Sequence, residues 1–336
     1  MSVTLQRPES VVDGKFFLAY LGVFLAFHLL LPLALVPQFF SWTGVALVFV
    51  GNYVFGSLGI NIGYHRLLTH RSFSCPKWLE QTFVVLGVCS LQDSPGRWVA
   101  IHRMHHKHSD TPPDPHSPLV SFFWGHLGWL IIENRELSRL STYERYAKDV
   151  FQDRFYRRLH RNYLWLWIYA AHAALIFGLG CLAGWLMLGT RSEALQFGLS
   201  LFVWGVIVRT VYVWHITWAV NSVTHRWGYR NYETGENSRN NWLVALLTNG
   251  EGWHNNHHAS QRSARHGHRW WELDLTYATI LLLRQVGLAS DVLTPTVPGQ
   301  RSLEPLEIAG KSNPNLGPDR EAVAARPFVK APAQPG

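Results

Sequence analysis

The chain has few cysteines, and this excludes two structural features that depend on them. Its 336 residues include 3 cysteines, at positions 75, 89 and 181, and no two of them form a Cys-x-x-Cys pair. Their number and spacing exclude a disulfide framework and an iron–sulfur cluster. Charged residues are also scarce, at 15% of the chain, whereas 48% is hydrophobic and 16 residues are tryptophan. The composition is more apolar and more aromatic than that of an average soluble enzyme.

Long segments without charged residues predict a membrane protein. An apolar run of about 20 residues is long enough to cross the hydrocarbon core of a bilayer as a helix. Four spans are expected, at about 16–36, 42–64, 162–190 and 194–216. Arg209 lies in the last of them, and its long side chain is expected to snorkel towards water. The predicted fold is therefore an all-α integral membrane protein with four transmembrane helices.

The distribution of lysine and arginine predicts the orientation of the spans. Residues 65–161 carry 14 of them and the chain after residue 217 carries 12, whereas 37–41 has none and 191–193 has only Arg191. By the positive-inside rule, both basic segments and both termini lie in the cytoplasm. The net charge of +8 is usual for cytoplasmic loops. It would also suit anionic lipid headgroups, an acidic electron carrier or a phosphate-bearing substrate.

The chain is expected to form one folded domain followed by a tail. Apolar periodicity fades near Asp291, and the chain from Pro295 onwards holds 8 of the 17 prolines. We predict a membrane domain over residues 1–291 and a disordered, proline-rich tail over 292–336. No segment resembles a nucleic-acid-binding module, so no nucleic-acid partner is expected.

Three short histidine motifs predict a metal site. Side chains three or four residues apart share one face of a helix, so the histidines of each triplet can point to one place. Neutral imidazole is the commonest metal ligand, and it suits zinc, copper, iron and nickel alike. Eight histidines form the motifs His65-x4-His70, His102-x2-His105-His106 and His254-x2-His257-His258, and His225, four residues after Asn221, adds a ninth.

The number of histidines favours two ions over one. A structural zinc site is complete with four ligands, whereas nine imidazoles would fill most positions of two higher-coordinate ions. We therefore expect a binuclear redox centre. The motifs contain no aspartate or glutamate at ligand spacing, unlike the soluble helix bundles that hold two irons with Glu-x-x-His.

Two positions in these motifs need separate arguments. His65 and His70 are five residues apart, which is about 140° around an α-helix, so the helix is expected to bend or end near Leu68. Asn221 shares a helix face with His225, and its amide oxygen is expected either to bind the metal weakly or to hold a metal-bound water. The alternative for Asn221 is a hydrogen bond between helices within the membrane.

Other polar residues are candidates to orient the ligands rather than to bind metal. Histidine ligands commonly donate their second ring N–H to a carboxylate. The carboxylates to test for this role are Asp93, Asp110, Asp114, Glu251 and Asp274, and the neighbouring histidines are His108, His116, His126, His215, His266 and His268.

With these motifs in place, the chain resembles the membrane fatty-acyl desaturases, most of all the bacterial and stearoyl-CoA type that acts at the ninth carbon. The resemblance runs from about His65 to Asp291, with the motifs in the family order. It is carried by the segments His65-Arg-Leu-Leu-Thr-His70, His102-Arg-Met-His-His106 with the later Asp114-Pro-His, Thr217-Trp-Ala-Val-Asn221-Ser-Val-Thr-His225 and Gly250-Glu-Gly-Trp-His254-Asn-Asn-His-His258.

The resemblance implies a membrane enzyme with a cytosolic helical cap that holds a di-iron centre. Such an enzyme uses O2 to insert a cis double bond into a long saturated acyl chain carried by CoA or by a lipid. The implied ligands are the nine histidines, with Asn221 on a water. Family positions also place Thr217 and Trp218 on the wall of the acyl tunnel near its kink, and Gln92 near the thioester end.

The resemblance also implies partners and a location. The expected location is the bacterial inner membrane, where membrane lipid surrounds the spans. Some relatives carry a fused cytochrome b5 domain, which this chain lacks. An external electron donor of the ferredoxin, rubredoxin or cytochrome b5 type is therefore expected.

Two rival interpretations remain open from the sequence. A hydroxylase of the same superfamily would use the same oxidant to add oxygen instead of removing a second hydrogen. A histidine-lined metal transporter would need ionisable residues along a path through the membrane. The acyl carrier, the electron donor and the identity of the metal stay open at this point.

Overall fold

The computed structural model describes residues 4–295. Most of the predicted tail, residues 296–336, lies outside the described residues. The packed chain continues slightly past Asp291, because the Leu293 N–H donates to the carbonyl of Ser72 (2.9 Å) and the Leu293 carbonyl accepts from the Ala264 N–H (2.8 Å).

The described chain is mostly helical. Its α-helices are α1 (Leu18–Leu30), α2 (Trp42–Gly51), α3 (Lys77–Val88), α4 (Pro95–His108), α5 (Trp129–Ile131), α6 (Leu140–Tyr146), α7 (Lys148–Gln152), α8 (Arg154–His160), α9 (Leu164–Leu188), α10 (Arg191–Phe202), α11 (Arg209–Ser222), α12 (Trp242–Leu247), α13 (His254–Ala259) and α14 (Leu275–Gln285). Wider π-helical segments cover Asn52–Thr69, Trp124–Gly128 and Val203–Val208, and 3-10 helices cover Leu31–Leu35, Pro37–Phe39, Glu136–Ser138 and Arg161–Tyr163.

Four helical stretches within residues 4–295 are long and apolar enough to cross a membrane. They run over Leu18–Leu35, Trp42–Thr69, Arg154–Leu188 and Arg191–Ser222. The predicted number of spans is therefore confirmed. The second, third and fourth stretches extend past the uncharged runs at one or both ends, because charged residues there continue the same helical backbone.

A small two-stranded β-sheet accompanies the predicted helices. Strand β1 (Val11–Phe16) pairs antiparallel with β2 (Ile132–Asn134), with Val11 opposite Asn134 and Phe16 opposite Ile132. Phe16 therefore ends a strand, and the first span begins at Leu18 rather than at residue 16. β-Branched residues in both segments favour this extended pairing, which is too short to give a clear alternating pattern.

The third and fourth candidate spans form a tight hairpin built on small residues. Gly189, with φ +83°, ends α9, and the Thr190 side chain accepts from the Glu193 N–H to begin α10. A Cβ atom added at Gly180 would lie 2.9 Å from the Cα of Gly198. Such close contact of two backbones is how helices pack in a membrane, where van der Waals contact replaces the hydrophobic effect.

Arg209 does not snorkel as predicted. Its side chain is fully buried. Nε donates to the Gly205 carbonyl (3.0 Å) and Nη1 to the Cys89 carbonyl (2.6 Å), and the guanidinium lies 4.5 Å from the centre of the Phe55 ring. These partners satisfy the guanidinium N–H groups inside the helix bundle, so the side chain does not need to reach water.

The hairpin packing predicts a position-specific effect on stability. Gly180→Leu should lower the unfolding free energy by about 1–3 kcal/mol, because the new side chain must push α9 and α10 apart. Gly178→Leu in the same helix is the matched control, since a Cβ there meets nothing within 4 Å. Thermal unfolding in detergent measures both. Equal effects of the two substitutions would contradict the packing argument.

Candidate metal centre

The structure gathers all nine predicted histidine ligands into two adjacent groups. In each group, one ring nitrogen from every residue lies within 4.8 Å of the others. The rings of His106 and His258, one from each group, have centroids 4.6 Å apart. The first histidine cluster is His65, His70, His102, His106 and His257, and the second histidine cluster is His105, His225, His254 and His258.

The helix geometry explains how His65 and His70 meet. The second span winds as a π-helix from Asn52 to Thr69, and the His70 N–H donates to the His65 carbonyl, five residues back. A π-helical turn is wider than an α-helical one, so residues five apart come onto one face. Their Nε2 atoms are 3.1 Å apart. The helix ends near Leu68 as predicted, but wider winding rather than a bend joins the two imidazoles.

The other two motifs lie on α-helices, as their spacing predicts. Helix α4 carries three of the histidines, and it directs His102 and His106 to the first cluster and His105 to the second. Helix α13 directs His257 to the first cluster and His254 and His258 to the second. Each triplet therefore connects both clusters, which the prediction of one shared target per triplet did not anticipate.

The ring nitrogens converge as ligands of a cation would. Adjacent Nε2 atoms in the first cluster are 2.9–3.2 Å apart, for example 3.0 Å between His102 and His106, and those of His225 and His254 in the second are 3.1 Å apart. Two nitrogens bound about 2.1 Å from one ion at a right angle are about 3.0 Å apart. Tetrahedral ligands would be further apart, at about 3.4 Å. The spacing favours ions of higher coordination number than structural zinc.

Buried carboxylates fix the direction of several lone pairs. Asp114 Oδ1 lies 3.0 Å from His105 Nδ1, Asp110 Oδ2 lies 3.0 Å from His225 Nδ1, and a third carboxylate, that of Glu251, lies 2.7 Å from His65 Nδ1. An ionised carboxylate only accepts, so a neutral imidazole that donates Nδ1–H to it turns a bare Nε2 lone pair inwards. His105 Nε2 is buried without a hydrogen-bond partner among the described residues. The donor set therefore fits a bound cation.

The electrostatics of the carboxylates agree with this role. Burial acts to raise the pKa of Asp114, but the charge and hydrogen bond of His105 hold it below its ordinary value. Burial likewise acts to raise the pKa of Glu251, and Arg66 above all holds it well below its usual range. Both groups therefore stay ionised, and Asp114 accepts from the His105 Nδ1–H.

Six of the nine imidazoles are held in the neutral form. Burial lowers the pKa of these six well below the ordinary histidine value, and the neighbouring imidazoles act in the same direction. Neutral imidazole is the form that binds metal. The histidines lowered in this way are His70, His102, His106, His254, His257 and His258.

A buried arginine that sequence reasoning missed supports the first cluster. Arg66 is fully buried, and its Nη2 lies 2.8 Å from Glu251 Oε1 and 3.0 Å from Asp274 Oδ1. Glu251 in turn contacts His65 and, at 3.3 Å, His266. The position of Arg66 beside His65 on the chain is the only sequence signal for this role. Glu236 was missed as well, and it lies 3.5 Å from His258 Nδ1.

Asp93 does not orient a ligand. Its carboxylate pairs with Arg97 at 2.8 Å and accepts from the hydroxyl of Tyr20 and from the Ser94 N–H. Asp110, Asp114 and Glu251 do contact histidines of the clusters, whereas Asp274 acts through Arg66. Of the flanking histidines, His266 lies at the site, and His116 stacks on His105 with ring centroids 4.3 Å apart.

A cavity of about 700 Å³, which we call the main cavity, adjoins both clusters. His65, His102 and His254 line one part of it, together with Asn221. Its other walls are mostly apolar and aromatic. This volume is within the range of about 300–1,000 Å³ that is usual for sites of small molecules.

The three predicted substrate residues all line the main cavity. Gln92 Nε2 donates to Thr217 Oγ1 at 3.0 Å, and Trp98 Nε1 lies 3.4 Å from Gln92 Oε1. Trp218 lines the same wall. Gln92 and Thr217 therefore lie together on the wall of the main cavity. The turn at Leu91, with φ +53°, directs Gln92 towards α11.

The structure has four membrane-length helices, two buried histidine clusters and an apolar cavity beside the clusters. Together they define an integral membrane protein that can hold metal next to a long apolar molecule. Comparison with known proteins gives the family. A family model described as fatty acid desaturase matches residues 40–283. The chain belongs to the fatty acid desaturase family and is an oxidoreductase.

Three relatives illustrate the similarity. The chain is 45% identical to an sn-1 stearoyl-lipid 9-desaturase of Synechocystis sp. over 81% of this chain and 79% of the relative. It is also 45% identical to a protein of the same description from Anabaena variabilis, over 80% of this chain and 91% of the relative. An acyl-CoA C20 Delta5-desaturase of Anemone leveillei is 41% identical over 77% of each chain.

The carboxylate contacts predict that metal affinity depends on a residue that does not bind metal. Asp114→Asn should weaken metal binding by about 10–100-fold, because the amide cannot hold the His105 Nδ1–H as a charged acceptor does. Metal content after dialysis against a graded chelator measures this. Asp13→Asn removes a carboxylate that is 89% exposed and is the matched control. Unchanged metal content in Asp114→Asn would contradict the assigned role.

Proposed function

We propose that the protein is an O2-dependent acyl-lipid desaturase that inserts a cis double bond at carbon 9 of a saturated, long-chain acyl group. The observation that carries this proposal is the main cavity, whose apolar walls adjoin both histidine clusters. The names of the two relatives at 45% identity support a lipid-linked stearoyl chain and carbon 9. The acyl-CoA relative is less similar, at 41% identity.

The cofactor of this proposal is a pair of iron ions. The five histidines of the first cluster would hold one ion and the four of the second cluster the other, with Asn221 placed to hold a water. Iron accepts imidazole ligands and higher coordination numbers. When bound, the irons would supply the oxidation by O2 of carbon–hydrogen bonds that no acid or base can activate.

The chain itself supplies position. All methylenes of an acyl chain are chemically alike, so the carbon that reacts is the one that the cavity holds beside the clusters. The hydrogen bond between Gln92 and Thr217 fixes the polar part of the wall, and Trp98 and Trp218 form its aromatic surface. Apolar walls also exclude water from the reacting carbons.

The proposal includes an orientation and partners. The basic segments carry both clusters, and the positive-inside rule places these segments in the cytoplasm. With four spans, both termini lie on the same side. The helices that lie between the second and third spans and after the fourth would then form a cytosolic cap over the membrane domain. We propose the bacterial inner membrane as the location, and an external ferredoxin, rubredoxin or cytochrome b5 as the electron donor.

Product analysis tests the function directly. A host lacking cis-9 monoenes should gain them when it expresses the intact chain, and should not gain them with His105→Ala, which removes a histidine of the second cluster. His108→Ala on the same helix is the matched control, because His108 contacts the Tyr146 hydroxyl (3.1 Å) rather than either cluster. Fatty-acid methyl ester analysis with location of the double bond measures the products. A hydroxylated chain without an alkene would overturn the proposal in favour of a hydroxylase.

The cavity wall predicts a change in chain-length preference. Ile60 is 3% exposed and lines the main cavity, so Ile60→Phe should reduce the room for the acyl chain and favour shorter substrates. Val50→Phe, at an exposed position of the same span, is the matched control. Competition between saturated chains of different length measures the preference. The same preference in both variants would show that Ile60 does not bound the acyl chain.

A further inference from the structure

Four arginines surround a second, smaller cavity of about 260 Å³. They lie on α8 and in the turn that follows it, and all four are exposed. We call Arg154, Arg157, Arg158 and Arg161 the arginine cluster.

The arginine cluster has no carboxylate partner among residues 4–295, because no carboxylate oxygen there lies within 4.0 Å of these guanidinium groups. Arg157 Nη1 donates to the Phe151 carbonyl (3.2 Å). Nearby basic residues differ in this respect. Arg103 pairs with Asp149 at 2.7 Å, and Lys77 pairs with Asp153 at 2.7 Å. Positive charge is therefore concentrated without compensation around one small cavity.

The arginine cluster is connected to the main cavity. Arg161 lines both cavities, and the next two residues, Asn162 and Tyr163, line the main cavity. Both of them have positive φ, at +54° and +55°, and this turn leads directly into α9. The arginine cluster therefore lies at the end of a candidate span and at the edge of the main cavity. A lipid headgroup would occupy such a place if its acyl chain lay inside.

We propose that the arginine cluster binds the phosphate headgroup of the acyl lipid, because its four guanidinium groups surround a small cavity that shares Arg161 with the main cavity. This inference rests on the proposed function. Guanidinium groups bind phosphate oxygens through paired, charge-assisted hydrogen bonds. A neutral sugar headgroup would leave the four charges without a counter-ion. The substrate class is therefore an anionic phosphoglycerolipid rather than a neutral glycolipid.

Lipid binding without turnover tests the proposal. The probes are phosphatidylglycerol and monogalactosyldiacylglycerol that each carry a brominated stearoyl chain, added to the full-length protein in neutral detergent. Bromine quenches the tryptophans of the main cavity, such as Trp98 and Trp214, when the chain enters it. The combined variant Arg157→Gln, Arg158→Gln and Arg161→Gln should weaken binding of the anionic lipid by about tenfold or more. Binding of the neutral lipid should change by less than about twofold, since it lacks the charge.

A matched variant distinguishes binding of the lipid at a specific site from a general effect of surface charge. Arg191→Gln, Arg262→Gln and Arg284→Gln remove the same charge at exposed positions that line neither cavity, and they should leave both affinities unchanged. Equal losses in the two triple variants would overturn the proposal. Displacement of the anionic lipid by low millimolar inorganic phosphate would also overturn it, because the cluster would then be a site for a free anion.

Failure of the headgroup inference can be distinguished from failure of the proposed function. If the intact enzyme desaturates both lipids and binds them equally, the function stands and the headgroup inference fails. If it binds the anionic lipid through the arginine cluster but desaturates no lipid, the function fails and the site stands. A triple variant that keeps its lipid affinity but loses turnover with a protein donor would assign the cluster to donor docking, which overturns the proposal.

Discussion

The convergence of nine imidazole nitrogens in two small, buried volumes is the constraint on which the rest of the structure depends. Bare lone pairs that face one another at about 3 Å repel, and burial removes the water that would otherwise solvate them. Buried Asp110, Asp114 and Glu251 hold the opposite ring nitrogens in place. Their negative charge also favours a cation between the lone pairs. The protein thus fixes the directions of the ligand lone pairs.

The backbone is shaped to serve this constraint. The second span carries His65 and His70 because π-helical winding brings residues five apart onto one face. The same helix allows α3 to approach closely, since a Cβ at Gly59 would lie 2.3 Å from the backbone nitrogen of Gly87. Helices α4 and α13 each supply both clusters, so the two clusters cannot move independently. A shift in one helix would change the ligand set of both.

Sequence reasoning predicted which histidines come together, because helical periodicity relates the spacing of residues to the direction of their side chains. It failed where the partner of a residue is distant in the chain. Arg209 has partners at Cys89 and Phe55 that no local pattern predicts. Gln92 contacts Thr217 because the turn at Leu91 directs it there. β1 and β2 are separated by more than 100 residues and one of them is three residues long, so neither gives a strand signal strong enough to oppose the helical pattern.

The arginines of this chain divide into two electrostatic kinds, and the division bears on the substrate. Arg66 and Arg209 are fully buried. Carboxylates pair with Arg66 and backbone carbonyls accept from Arg209. Without such partners, a buried cation would be very costly. The arginine cluster is exposed, so water can solvate it and no internal partner is required. A charge that the fold does not need for stability is free to bind a ligand. Because Arg161 belongs to the arginine cluster and also lines the main cavity, the headgroup of a lipid whose acyl chain lay in that cavity would be the anion nearest to the cluster.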